Sequence, residues 1–151
     1  MSDEAKETRQ VTDSWDLGLY RWKLEAEGLK LLIDGFKDKK VLGRKCEKCN
    51  TVYVPGPSYC RKCFIDIHKV VEVKTTGKIG TFTANVADVR GNPLDQPQVV
   101  CCFQLDGADS WIMGNLEIQD WKKVHVGMPV RIRFRTETKG ELADLECWEP
   151  R

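Results

Sequence analysis

Hydrophobic residues change their period along the chain. From Trp15 onward they recur at Trp15, Leu19, Trp22, Ala26, Leu29, Ile33 and Phe36, alternately four and three apart. Side chains at those spacings share one face of a helix, so the pattern predicts an amphipathic helix over roughly 13–35. Thr12, Asp13 or Ser14 can cap its first turn by accepting orphan backbone N–H bonds. Gly18 and Gly28 each weaken it by about 1 kcal/mol relative to Ala, which leaves room for a kink or break.

Beyond residue 70 the period falls to two. Phe82, Ala84 and Val86 alternate with Thr81, Thr83 and Asn85, with Ile79 preceding them; Val99, Cys101, Phe103 and Leu105 alternate in the next run. Val130, Ile132 and Phe134 alternate with Arg131, Arg133 and Arg135. Turn residues separate the runs at Gly91-Asn92-Pro93, Asp106-Gly107 and Lys139-Gly140, the layout of short antiparallel strands. Five or six such strands suit a small closed barrel, of which the OB-fold is the commonest of this size; a two-sheet sandwich is the structural rival.

Between helix and strands lies a segment, about 41–64, with a chemistry of its own. Cys46-Glu47-Lys48-Cys49 and Cys60-Arg61-Lys62-Cys63 are two CxxC turns separated by ten residues, with turn chemistry at Pro55, Gly56 and Pro57. A CxxC turn aims two thiolates at one point, and two such turns supply four sulfurs at about 2.3 Å to a tetrahedral Zn²⁺. Iron accepts the same ligands, so the spacing alone leaves the metal open, with zinc favoured. A redox CxxC would open a helix in a βαβ context, which this segment lacks. Four protein ligands leave no position for water or substrate, so the predicted role is structural. A block this short cannot bury a sufficient core, and the metal supplies its folding free energy.

Charge and composition narrow the field. The 151 residues are 41% hydrophobic and 31% charged with a net charge of +1: too apolar for a disordered chain, and without the strong basicity usual in a dedicated nucleic-acid binder. That balance hides a division: residues 1–36 carry net −3, residues 37–74 net +6 and residues 75–151 net −2. No apolar run approaches the roughly 20 residues of a membrane helix. The polar start MSDEAKETRQ lacks a secretory layout, so a cytoplasmic location is expected, and seven cysteines then point to metal or free thiols. Cys101, Cys102 and Cys147 fall in strand patterns and read as small core or edge residues; the alternative for Cys101-Cys102 is a nucleophile or a vicinal disulfide. His68 and His125 read as surface or hydrogen-bonding residues, and GxSxG, HExxH, Walker and Rossmann motifs are absent.

The order of these pieces resembles the acyl-CoA-associated OB-fold proteins, in which a rubredoxin-like zinc ribbon precedes an OB barrel. The matching residues are Val41-Leu42-Gly43-Arg44-Lys45-Cys46-Glu47-Lys48-Cys49, Pro55-Gly56-Pro57, Cys60-Arg61-Lys62-Cys63 and Gly77-Lys78-Ile79-Gly80-Thr81-Phe82-Thr83. Leu105-Asp106-Gly107 and Val126-Gly127-Met128-Pro129-Val130 complete the pattern. Asn50 stands where the family often has Gly; Asn is the next best residue for a left-handed backbone. The resemblance implies a mainly β chain with an N-terminal tail and helix at 1–36, a zinc ribbon at 37–69 and an OB-fold barrel at 70–151. It also implies an accessory subunit, not a free-standing enzyme, paired with thiolase-like proteins or hot-dog-fold enoyl-CoA hydratases in a hetero-oligomer. Related thiolase partners serve mevalonate synthesis in archaea and the breakdown of sterol side chains or aromatic acids in bacteria. A benzoylsuccinyl-CoA-type thiolase is one setting within the family, and no residue here selects it.

The residues add candidates to that picture. Arg44, Lys45, Lys48, Arg61 and Lys62 form a cationic group that suits coenzyme A phosphates, an acidic partner face or plain solvent. Arg131, Arg133 and Arg135 pose the same choice. The stripe of Trp15, Leu19, Trp22, Leu29, Ile33 and Phe36 suits either the chain's own barrel or a partner surface, where Trp is a favoured anchor. Two other function classes compete: a single-stranded nucleic-acid module, for which Phe134 between Arg133 and Arg135 is the one good instance of basic–aromatic interleaving, and a redox protein using iron or thiols.

Overall fold

A computed structural model describes residues 27–88 and 90–151. The predicted helix at Trp15, Leu19, Trp22 and Ala26 lies outside the described residues. Helix α1 (Glu27–Lys37) holds the last part of the stripe and runs two residues past the predicted end. It stops where Lys39 adopts a left-handed φ of 57°, and the N–H groups of Lys39 and Lys40 close the last turn on the carbonyls of Phe36 and Gly35. Gly28, a weak point of the helix by propensity, has a packing reason. A Cβ there would lie 2.0 Å from the carbonyl oxygen of Gly56, so the missing side chain lets the helix seat on the Pro55-Gly56-Pro57 turn.

A small antiparallel sheet follows, ordered β2-β1-β3, from β1 (Val41–Lys45), β2 (Val52–Tyr53) and β3 (Val70–Val73). Arg44 pairs with Tyr53 and Lys45 with Val52, so residues 46–51 form the turn of a hairpin. The chain then leaves the sheet for residues 54–69 and returns as β3 on the other side of β1, with Val41 opposite Val73.

Five strands close the barrel: β4 (Thr76–Ala87), β5 (Pro93–Leu105), β6 (Ile112–Leu116), β7 (Pro129–Phe134) and β8 (Leu145–Pro150), ordered β4-β5-β6-β8-β7. All neighbours are antiparallel except β6 and β8. This is the OB barrel, not the sandwich. The three-residue step from Ile79 to Phe82 in an otherwise two-residue pattern is a bulge, where the register slips between Ile79 and Thr81. Without it, Ile79 and Phe82 would face opposite sides.

The alternating residues Val99, Cys101, Phe103 and Leu105 are buried, as are Val130 and Ile132. Trp148 on β8 is fully buried and stacks on Phe103, ring centroids 4.0 Å apart. The same core takes in Leu32 and Phe36 from α1, Val41 and Val73 from the small sheet, and Val54 just beyond β2. Phe36 also meets Phe134 edge-on at 5.5 Å. The base of the ribbon and the barrel therefore share one interior. The far end of the ribbon has a second, minute one: Cys46, Cys60 and Ile67.

Candidate metal centre and its surroundings

The four cysteines converge from two turns of the same design. In the first, the N–H of Asn50 donates to the carbonyl of Cys46 at 2.8 Å and that of Cys46 to Thr51 at 2.9 Å. In the second, the N–H of Phe64 donates to Cys60 at 2.8 Å and that of Cys60 to Ile65 at 2.7 Å. Each turn places the residue after its second cysteine in the left-handed region: φ is 59° at Asn50 and 55° at Phe64. Asn tolerates that conformation; for Phe it costs about 1–2 kcal/mol. Yet Phe64 is 83% exposed and has no core contact to compensate it.

The Sγ atoms of Cys46, Cys49, Cys60 and Cys63 all lie within 4.8 Å of one another, and Cys49 and Cys60 are 3.6 Å apart. Four sulfurs at about 2.3 Å from one ion would stand about 3.8 Å apart, so the donor set fits a tetrahedral zinc ion. Cys46 and Cys60 are fully buried, and Cys49 and Cys63 half-buried. The four thiolates hold structural zinc.

Neighbouring groups favour thiolate at Cys49 and Cys60, whereas burial and the adjacent thiols push Cys63 up to about 12. The Thr51 hydroxyl, 3.2 Å from Cys49 Sγ, holds that thiol below its ordinary value, and Lys62 donates to the same hydroxyl at 3.1 Å. Burial opposes ionisation of Cys60, but the Tyr53 hydroxyl at 3.5 Å and the N–H groups of Cys63 and Lys62 outweigh it and bring Cys60 down to about 6. The same contact with Cys60 pushes the Tyr53 phenol up to about 12.

The ribbon is fastened to the barrel by two residues that the patterns did not single out. Asp109 accepts from the Val52 N–H at 2.8 Å and donates its own N–H back to the Val52 carbonyl. Ser110 accepts from the Val54 N–H at 2.6 Å and donates its hydroxyl to the Val54 carbonyl at 2.9 Å. Beside this clamp a cleft of about 1060 Å³ opens where helix, ribbon and barrel meet, its wall including Leu29, Pro55, Pro57, Arg61, Ser110 and Trp111. Trp111 is half-exposed and packs on Gly80, whose missing side chain leaves room for the indole.

The predicted cations divide. Arg61 reaches the cleft. Lys62 is engaged with Thr51 beside the metal, Lys48 is exposed on the first turn, and Lys45 ends β1. Arg44 lies along Gly56, with its guanidinium 3.5 Å from the Pro57 carbonyl. Arg131 and Arg133 are committed elsewhere: Arg131 pairs with Glu149 at 2.7 Å, and Arg133 pairs with Glu117, Glu146 and Glu149. With Phe134 turned toward Phe36, the basic–aromatic cluster that a nucleic-acid reading would use is taken up within the chain.

On the helix, Phe36 is 1% exposed and belongs to the chain's own core, which corrects its reading as a partner contact. Leu29 packs partly on that core and partly lines the cleft, while Ile33 is half-buried. Leu32, outside the stripe, is 2% exposed and does the work expected of Ile33. Cys101 and Cys147 are buried and Cys102 half-buried, all three free; burial raises the Cys101 thiol to about 11 and, with the Glu117 carboxylate beside it, the Cys147 thiol to about 12.

Residues 34–68 match the family model described as the ChsH2 rubredoxin-like zinc ribbon domain, and residues 70–135 match the ChsH2 C-terminal OB-fold domain. The chain belongs to this family of zinc-ribbon OB-fold proteins. A DUF35 domain-containing scaffold protein of Methanocaldococcus jannaschii is 29% identical over 97 residues, which cover 63% of this chain and 67% of the relative. A DUF35-family protein of unknown function from Sulfolobus solfataricus superposes with a TM-score of 0.63 at 29% identity, over 70% of this chain and 77% of its own. A solved structure described as an Ltp2-ChsH2(DUF35) aldolase superposes with a TM-score of 0.60 over 87% of this chain and 98% of its own. At 18% identity that likeness shows the fold. Among the described residues, no helix is long and apolar enough to cross a membrane.

Proposed function

We propose that this chain is a non-catalytic accessory subunit, one that orders a thiolase-type enzyme acting on a β-ketoacyl-CoA in the cytoplasm. The observation that carries the reading is the closed metal centre: four protein sulfurs fill a tetrahedral site, so the most reactive groups of the chain are spent on shape. The two other buried thiols, Cys101 and Cys147, are held protonated by their surroundings. The reactive groups of thiolysis then belong to the partner.

What the chain offers is a rigid junction. The Asp109–Ser110 clamp fixes ribbon to barrel, and the cleft beside it combines one guanidinium, Arg61, with an open indole face, Trp111. A cation and an aromatic plate on an apolar wall suit the phosphates and adenine ring of a coenzyme A ester brought by the partner. The curated relative is described as a scaffold protein, which supports an ordering role. The structural relative described as an aldolase supports a partner that works on a carbon–carbon bond beside a carbonyl, as a thiolase does and a hydratase does not.

The test is co-expression of the chain with the enzyme subunit that co-purifies with it. The reading expects a stable hetero-oligomer that cleaves a β-ketoacyl-CoA with coenzyme A. It also expects Arg61→Ala to raise the KM for the thioester while leaving the assembly intact. Full turnover by the larger subunit alone would refute it.

A further inference from the structure

The two cysteine turns have the same backbone but not the same residue at the left-handed position, and this contrast points to a contact. The first turn uses Asn50, which suits the conformation; the second uses Phe64, which does not, and leaves its ring 83% exposed. Tyr59, 50% exposed, and Ile65, 37% exposed, belong to the same turn, where Tyr59 bridges to Asp66 across it. Arg61, Lys62, His68 and Lys69 are all exposed around them, with Asp66 as the one acidic residue between positions 58 and 69. An aromatic ring held outward at a backbone cost, clamped by a metal-locked turn and surrounded by cations, has the form of an anchor.

We infer that the second cysteine turn is the docking element of this chain, Phe64 inserting into an apolar socket of the partner enzyme whose rim is acidic. The inference rests on the accessory-subunit reading and names the surface by which that subunit is held. A protein socket fits better than a lipid surface, because a fluid interface gains nothing from fixing one ring in a costly backbone state. A shaped pocket does gain. The net positive charge of residues 37–74 complements an acidic rim and speeds encounter.

Phe64→Asn copies the first turn: it relieves the backbone and removes the ring. The full chain, wild type and variant, is titrated against the enzyme subunit that co-purifies with it. Zinc content and melting temperature are measured on the same samples. The expected result is a variant with one zinc, a melting temperature at or above the wild type's, and a dissociation constant raised about thirtyfold, with Phe64→Tyr restoring most of the affinity. Charge reversal of Lys69, which is exposed beside the turn and lies outside both the cleft and the metal site, should slow association, the more so at low salt. Several results would overturn the docking assignment. These are binding of Phe64→Asn within about twofold of wild type, loss of zinc or fold in that variant, self-association of the wild type that the substitution abolishes, and Phe64-dependent binding to phosphatidylserine vesicles. If the wild type binds and the variant binds equally well, the assignment fails alone. If the wild type forms no complex with the enzyme, the accessory reading fails with it.

Discussion

Replacing Cys60 by Ser should unfold the outer ribbon and leave the barrel standing. The reason lies in how the interior is divided. Beyond the metal, the outer ribbon buries one aliphatic side chain, Ile67, at 2% exposure. Its burial stabilises by about 1.5–3 kcal/mol, whereas a structural zinc site of this type contributes about 10–16 kcal/mol to folding. Without the ion, the two cysteine turns, residues 46–51 and 58–67, lack the apolar contact to stay ordered. The base of the ribbon behaves differently, because Val41 and Val54 sit in the barrel's own core and the clamp holds Val52 and Val54 from the barrel side. If the collapse extends to Val54, the barrel loses about 1.5–3 kcal/mol, a fall of about 3–12 °C in melting temperature. Amide hydrogen exchange separates the two units. Protection at Cys46, Asn50, Phe64 and Ile67, whose N–H groups are bonded within the ribbon, should disappear in Cys60→Ser or on chelation. Protection at Ile79, Asp106 and Ile132, bonded within the barrel, should persist. Ribbon amides that stay protected without metal would refute this division, as would barrel amides lost in the same step.

Other outcomes follow from single contacts. Gly28→Ala should destabilise the chain by about 1–3 kcal/mol by overpacking, although helix propensity alone predicts a gain of about 1 kcal/mol; thermal melting reads the sign, and a gain would mean that the approach to Gly56 is not tight. In the native zinc-loaded protein, Ellman's reagent at pH 8 should find one thiol, Cys102, because zinc shields four and burial with raised values keeps Cys101 and Cys147 protonated; prompt reaction of a second thiol would contradict the packing. Asp144 is 1% exposed and accepts backbone N–H bonds from Glu141, Lys139 and Gly140, which hold its carboxyl below the ordinary range. Its stabilisation is therefore complete above about pH 4 and lost as the pH falls through the lower folded value. Asp144→Asn should lower the urea midpoint at neutral pH, with the difference from wild type shrinking as the pH falls below the free carboxylate value; a difference that does not shrink would count against the charged form.

Much of this molecule was legible in one dimension. Period-two runs such as Val99 to Leu105 report directly which side of a strand is buried, and a CxxC pair reports convergence, because both are local. What escaped the patterns depends on partners distant in sequence. The closeness of α1 to the cysteine segment appears only once Gly28 meets Gly56, and the seating of ribbon on barrel only once Asp109 and Ser110 reach β2. Leu32 replaces Ile33 in the core because the direction from which a helix is approached is set by what it packs against. The arginines of β7 looked like a cationic face because periodicity does not show that Glu146 and Glu149 of β8 lie across from them. Phe64 is the exception. Its place, one residue after the second CxxC, matches that of Asn50 after the first, and that contrast is readable without coordinates.

The central question is whether this chain shapes another protein's chemistry or performs its own. The most direct measurement is β-ketoacyl-CoA cleavage by three samples at equal concentration: the chain alone, its co-purifying enzyme subunit alone, and the two together. The account predicts no turnover from the first, little from the second and full turnover from the mixture, lost again when zinc is stripped from the chain. Thioester cleavage by the isolated chain, or an enzyme subunit equally active without it, would contradict that claim.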